Sequence, residues 1–326
     1  MDNRFDSILE TIRKLITNGD IFYITGHTNP DGDSIGASFG LALAIEKMGK
    51  EARVIVEPYH SKYNLIPGSH LQHSGEEIWE CPLICLDSAD VSRLSGHARK
   101  LADTLSTTIC IDHHYTNTGY ARYNYVDGTA SSTCELVYTL LDGFVPIDRD
   151  IASALYAGMV CDTGGFRFMA TSPKTLNIAA KLIAYEIPFS QIYAELVHLH
   201  TYSEIKLLSR VLDSTTRTED GKVVYACVPK SMMTGLNGAP DATPMDLEGV
   251  VEYLLNIRRA ELSLLLYERE DGSIKISLRS KKANVASVAM QFDGGGHQLA
   301  AGAQATGDIY DICEQVLRVI KAEMQL

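Results

Sequence analysis

The sequence is poor in several things, and each shortage narrows its reading. It has one tryptophan, Trp79, just before the apolar run "CPLICLD" and expected in the core. Its seven cysteines, at 81, 85, 110, 134, 161, 227 and 313, are scattered, odd in number and never spaced CxxC. That pattern argues against a disulfide framework or a zinc cage and fits reduced thiols in a cytoplasm. No run of about 18 apolar residues occurs, so no membrane-spanning helix is expected. The opening "MDNRFDSILETIRKL" is charged and amphipathic, unlike a signal peptide. Internal repeats and low-complexity segments are also absent.

Basic charge is scarce. Lysine and arginine total 29 against 41 acidic residues, a formal net charge of −12. Proteins that grip long duplex nucleic acid carry a basic stripe that displaces counterions. The densest basic spot here is the short "RSKK" at 279–282. Duplex DNA is therefore not an expected partner. A small anionic ligand held by a few residues and a metal remains compatible, and part of the acid could itself be metal ligand.

What is present reads as two domains, from 326 residues with 45% apolar content. Residues 6–18 form an amphipathic helix pattern. "DIFYITG", "ARVIVEP", "PLICLDSAD" and "TTICIDHH" are short, continuously apolar strands, mostly separated by helical patterns such as "SIGASFGLALAIEKMGK" and "SRLSGHARKLAD". Such strands belong to a parallel sheet buried on both faces. Helices follow near 131–142, 149–161 and 172–186. The pattern changes after a helical connector. "KVVYACVP" is a strand, "AELSLLLYERE" and "GSIKISLRS" flank Asp271-Gly272 as a hairpin, and helices cover "DLEGVVEYLLNI", "NVASVAMQF" and 308–325. The expected class is α/β. A parallel-sheet domain (1–189) with helices on both faces is followed by a helical linker (190–218). A smaller mixed α/β domain (219–326) lies across a cleft.

Chemistry-bearing residues recur at strand ends. "HTNPDGDSIGA" follows the first strand, Asp87 ends "LICLD", and Asp112, His113 and His114 end "TICID". In an open parallel sheet the C-terminal strand ends face one crevice where ligands bind. His27, Asp31, Asp33, Asp87 and His113 would converge there, and Asp162 opens another glycine turn. Each has a plainer reading: the first stretch as a strand-to-helix turn with polar caps, Asp87 as a helix cap, the histidine pair as a polar loop, Asp162 as a turn cap. Taken together, several carboxylates and imidazoles in one crevice would raise each other's pKa unless a cation neutralised them. Mixed Asp/His ligands suit Mn²⁺ and similar divalent ions, and two such ions about 3.5–4 Å apart form a phosphate-ester clamp. In "FDGGGHQLAAG" (292–302) three glycines before His297 make a loop that could let backbone N–H groups approach an anion, or a plain connection.

"HTNPDGDSIGA", "LDSAD", "DHH" and "GMVCDTGGFRF" resemble, in order, the motifs of the DHH phosphoesterase superfamily, and "GGGHQLAAG" resembles the signature of its DHHA1 domain. The resemblance spans nearly the whole chain and is nearest to the bacterial nanoRNase (oligoribonuclease) and pAp phosphatase branch. It implies one Mn²⁺ on His27, Asp31 and Asp87. A second would lie on Asp33, Asp87, His113 and Asp162, with Mg²⁺ or Co²⁺ as alternatives. A water between the metals would be the nucleophile, with Asp31, Asp33, Asp87, His113 and His114 the catalytic set. Asp112 would orient a histidine. His114, Arg279, Gly295, Gly296 and His297 would bind substrate, with Arg258, Arg259 and Arg167 as weaker candidates. The implied activity is release of 5′-mononucleotides from short single-stranded RNA and removal of the 3′-phosphate from pAp. Alternatives are a cyclic-di-AMP or pApA phosphodiesterase, a manganese pyrophosphatase, a RecJ-type exonuclease and a non-catalytic nucleotide-binding protein. A cytoplasmic location and a homodimer complete the expectations.

Overall fold

The computed structural model describes residues 3–75, 77–236 and 240–324. The chain divides into two units, Met1–Leu199 and His200–Leu326. In the first unit α1 (Asp6–Asn18), β1 (Ile21–Thr25), α2 (Gly32–Lys47), β2 (Glu51–Ile55), β3 (Leu83–Leu86) and α3 (Gly96–Thr104) come first. They are followed by β4 (Thr108–Asp112), β5 (Tyr123–Val126), α4 (Thr133–Leu141), α5 (Arg149–Asp162), α6 (Pro173–Ile183) and α7 (Phe189–Tyr193).

The five strands are parallel, in the order β2-β1-β3-β4-β5. Their unbroken apolar runs have a physical reason, because both faces are covered. Phe22, Ile24, Ile84, Leu86, Ile109 and Ile111 pack with the helices of the larger core. Tyr23, Leu83 and Cys85 point the other way, onto Leu94, Ala98 and Leu101. This is the expected doubly covered parallel sheet. The helix read from "SRLSGHARKLAD" starts only at Gly96, where the Ser95 hydroxyl accepts the N–H of Ala98. Strand β5 escaped the sequence reading because it is a short edge strand with only Tyr125 buried.

Helices α2 and α5 cross closely through glycines. A Cβ on Gly36 would stand 2.6 Å from the Ala154 carbonyl oxygen, and one on Gly158 would stand 3.0 Å from Asp33 Oδ1. The crossing brings Asp33, in the first turn of α2, toward the end of α5.

Trp79 is not core. It is 45% exposed, its ring lies 4.7 Å from the Arg53 guanidinium, and its indole N–H donates to Glu77. The buried strand that it precedes begins only at Leu83.

The second unit holds α8 (Tyr202–Asp213), β6 (Thr216–Arg217), β7 (Val223–Val228), α9 (Lys230–Met233), α10 (Val250–Leu255), β8 (Leu262–Glu268) and β9 (Ile274–Ser280). Then come α11 (Val285–Met290), β10 (Gly295–His297), β11 (Ala300–Ala305) and α12 (Ile309–Met324). Its sheet runs β10-β11-β9-β8-β7-β6, mixed because only β7 and β8 pair in parallel. Alternate residues serve two cores: Leu264, Leu266, Ile276 and Leu278 on one face, Val224, Ala226 and Leu265 on the other. Segment 190–218 is shared between the units, α7 lying in the first and α8 contributing Leu207 and Val211 to the second.

Of the "GGGH" segment, expected as a loop, Gly295–His297 is strand β10. It turns through Gln298 and Leu299 onto β11, pairing Gly295 with Gly302 and His297 with Ala300. Gly296 has φ +142°, and a Cβ there would meet the Ala300 carbonyl at 2.5 Å. The hairpin itself therefore requires that glycine. All seven cysteines are free thiols. Among the described residues no helix is long and apolar enough to cross a membrane.

Candidate metal centre

Three strand ends and two helix ends meet at one edge of the parallel sheet. Asp31 and Asp33 sit where α2 begins, Asp87 directly follows β3, Asp112 ends β4 with His113 and His114 after it, and Asp162 ends α5. Asn29 and Asp87 hold left-handed backbone, at φ +57° and +54°. Non-glycine residues there store on the order of 1–3 kcal/mol of strain, tolerated where surrounding structure over-determines the site.

Asp31 satisfies two readings at once. Its Oδ1 caps α2 by accepting the N–H groups of Asp33 and Ser34, while Oδ2 faces His27 Nε2 at 3.8 Å. Asp87 is central and buried. Its Oδ2 lies 3.4 Å from His27 Nε2, and its Oδ1 lies 3.6 Å from His113 Nε2 and 3.6 Å from His114 Nδ1. His113 Nε2 also lies 3.3 Å from Asp162 Oδ2. Three sets of donor atoms thus cluster, each within 4.8 Å: His27, Asp31 and Asp87; Asp33, His113 and Asp162; Asp87, His113 and His114.

Backbone contacts aim the rings. His27 Nδ1 is 2.8 Å from the Thr28 carbonyl, which can only accept, so Nδ1 carries a proton and Nε2 faces the carboxylates. His113 Nδ1 contacts the Ala130 carbonyl at 3.4 Å. His114 Nδ1 bonds Asp112 at 2.7 Å, and Asn117 donates to the other Asp112 oxygen at 2.7 Å. Asp112 thus orients a histidine, and that histidine is His114.

The sequence reading placed a helix near 131–142 but gave its start no part in the site. The N–H groups of Thr133 and Cys134 donate to Asp33, at 2.6 and 3.0 Å, and the Thr133 hydroxyl donates to Asp87. A helix N-terminus favours a carboxylate. The available signal was Ser132, whose hydroxyl caps α4 by accepting the Glu135 N–H.

The cluster is electrostatically unbalanced. Burial, then the Asp87 and Asp162 carboxylates, push Asp33 well up. Burial, then Asp31 and Asp87, do the same to Asp162. Burial opposes charge on Asp87 too, but the His27 hydrogen bond and the imidazoles of His114 and His113 hold its carboxyl far below the usual range. Burial disfavours charge on His27, yet Asp31 and Asp87 raise it well above an ordinary imidazole. Buried carboxylates whose neighbours are further carboxylates and imidazoles form a donor set that fits divalent cations.

In the second unit Arg279 Nε donates to Glu252 at 2.7 Å and Nη1 to the Leu278 carbonyl. Sheet register places residues 279, 300 and 297 in one row. A Cβ on Gly295 would meet nothing within 4 Å, so packing does not explain that glycine. The side chain of His297 lies outside the described residues. Arg167, Arg258 and Arg259 are exposed.

Two family models match. The DHH family, N-terminal domain, covers residues 21–159, and the DHHA1 domain covers 220–325. The chain is 31% identical over 306 residues to the bifunctional oligoribonuclease and PAP phosphatase NrnA of Thermus thermophilus, spanning 93% of this chain and 90% of that one. The protein of that name from Bacillus subtilis is 27% identical over 293 residues, spanning 87% and 89%. The crystal structure of an exopolyphosphatase-related protein from Bacteroides fragilis aligns with TM-score 0.87 at 26% identity, over 98% of both chains.

Proposed function

This chain belongs to the DHH family, and from that membership we propose that it is a metal-dependent phosphoesterase acting on short RNA and nucleotides. It hydrolyses short oligoribonucleotides to 5′-mononucleotides and removes the 3′-phosphate from pAp; what supports this is that its relatives are named bifunctional oligoribonuclease and PAP phosphatase. The observation that carries this reading is Asp87, buried and within 3.6 Å of His27 on one oxygen and His113 on the other. Its two oxygens serve two donor groups at once.

Two divalent cations, with Mn²⁺ as the proposed pair, would be held by His27, Asp31 and Asp87 on one side and Asp33, Asp87, His113 and Asp162 on the other. When bound, such ions supply Lewis acidity toward phosphate oxygens and acidify water near neutral pH. The chain's own groups do the positioning. The Thr28 carbonyl keeps the proton on His27 Nδ1, the α4 N-terminus holds Asp33, and Asp112 with Asn117 fixes His114. His114 then contacts substrate phosphate. Arg279, Gly295, Gly296 and His297 bind nucleotide; what supports that role is the sheet row shared by Arg279 and His297 and the open space at Gly295. Water adds to phosphorus as the ester oxygen leaves.

The test is hydrolysis by the purified protein with Mn²⁺ of pAp, pApA, a five-nucleotide RNA, cyclic di-AMP and pyrophosphate, compared by kcat/KM. Preference for pAp and short RNA is expected. Preference for cyclic di-AMP would overturn the substrate assignment while keeping the phosphoesterase; preference for pyrophosphate, an anhydride, would overturn both.

A further inference from the structure

The turn that follows Asp162 is built in an unusual way. Gly164, Gly165 and Phe166 are three successive residues with left-handed backbone, at φ +57°, +72° and +66°. The first two are glycines, for which this costs little, but Phe166 carries the strain of a bulky residue in that region. The strain is held in place. The Phe166 N–H donates to the Thr163 hydroxyl, and its ring packs 5.9 Å from Tyr156 at the margin of the core. The N–H groups of Arg167 and Phe168 both return to the Thr163 carbonyl. These contacts brace the turn.

The turn presents apolar surface. Phe168 is 43% exposed and Met169 is 93% exposed, six and seven residues from a member of the acid-histidine cluster. The tip of the Phe168 ring lies directly over Gly164, where a Cβ would stand 2.5 Å from Cζ. The Arg167 guanidinium lies 5.4 Å from the ring centroid. An exposed aromatic ring resting on a glycine backbone, with a cation close to it, is poorly explained by core packing. It matches what a base of a nucleic acid needs: a flat π surface to stack on and a cation close to its phosphate.

We propose that Phe168 is a stacking platform for a nucleobase of the substrate, seated on Gly164 and flanked by Arg167, and so a specificity-determining residue. This rests on the phosphoesterase reading above and deepens it. The acid-histidine cluster recognises phosphate, which every phosphoester shares. Phe168 recognises the base, which separates nucleotides from pyrophosphate or a simple phosphate ester. Because every base has a π face, the platform is tolerant of sequence, as suits an enzyme for mixed short RNA.

The experiment pairs two substrates with three proteins. The substrates are pApA and its analogue with hydrogen in place of both bases; the proteins are wild type, Phe168→Ala and Phe168→Trp. Wild type should favour pApA by roughly tenfold or more in kcat/KM, the scale of one stacked base. Phe168→Ala should lose that factor on pApA while hydrolysing the baseless analogue at the wild-type rate. Phe168→Trp should restore the preference, which a merely structural role would not require. If wild type hydrolyses neither substrate, the phosphoesterase reading has failed. If it hydrolyses both equally, or if Phe168→Ala lowers both in parallel, the platform is wrong and the phosphoesterase stands. Size-exclusion chromatography of Phe168→Ala gives an independent arm. A changed assembly mass accompanying a parallel loss would assign the patch to contact between copies of the chain.

Discussion

The two units keep their chemistry-bearing residues in opposite states. In the first, Asp33, Asp87 and Asp112 are essentially buried, and imidazoles and backbone N–H groups surround them. In the second, Arg279 is about a third exposed, and its guanidinium is already matched by Glu252 at 2.7 Å. A buried carboxylate cluster in which no single member can be removed without unbalancing the rest is an obligate device. An exposed, pre-neutralised arginine can exchange partners at small cost, because partly exposed pairs are worth about 1 kcal/mol or less. The first arrangement suits holding ions permanently, the second suits taking and releasing an anionic ligand.

The contrast can be broken most sharply at Asp87. Asp87→Ala should lower kcat at least a thousandfold, about 4 kcal/mol of barrier, and remove bound metal measured by elemental analysis. Retention of more than a tenth of the activity, or of a full metal complement, would sink the shared-carboxylate assignment. Arg279→Ala should act differently. It should raise KM for pAp by roughly tenfold, consistent with a lost charged hydrogen bond, and leave kcat and metal content nearly unchanged. Loss of metal in that variant would erase the distinction between the units.

The smallest effect is the most specific to the buried cluster. In the metal-free protein Asp33 and Asp162 are pushed up by burial and by neighbouring carboxylates. Their folded forms keep protons that the unfolded chain releases near pH 4, so stability falls as pH rises above that value. His27 is raised as well, despite burial, so its contribution is present below its unfolded value near 6.5 and lost as pH climbs through its folded one. Asp87, held low, loses its contribution only as pH falls below the carboxylate range and so is constant here. The thermal midpoint of metal-free protein should therefore decline from pH 5 to pH 8, and Asp162→Asn should flatten the decline. Mn²⁺ should raise the midpoint, more at pH 8 than at pH 6, because ligands bind deprotonated. A midpoint that climbs with pH in chelated protein would contradict the charge balance described for the cluster.

Much of this was legible beforehand. The parallel sheet could be read because doubly buried strands carry unbroken apolar runs, as 22–24, 83–86 and 109–111 do in β1, β3 and β4. The convergence of His27, Asp31, Asp33, Asp87 and His113 could be read because those residues begin or follow strands whose C-terminal ends share an edge. Trp79 could not be placed, because an indole beside an apolar run looks the same in sequence whether the chain has yet entered the sheet or not. Strand β5 was hidden because only Tyr125 of its four residues is buried. The glycines before His297 looked like a loop. The need for Gly294 and Gly296 comes from the approach of β11, which the alternation of residue types does not reveal.

The sequence alone determined which residues are capable of the chemistry and at which strand ends they stand, because period and residue type are local properties. The tertiary structure alone decided how they are held. It set Asp33 on the N-terminus of α4, about a hundred residues away. It let α2 and α5 cross at Gly36 and Gly158, and it seated Phe168 on Gly164. The Asp33 contact and the helix crossing depend on the close approach of separate elements, a property of packing in space and not of either segment by itself.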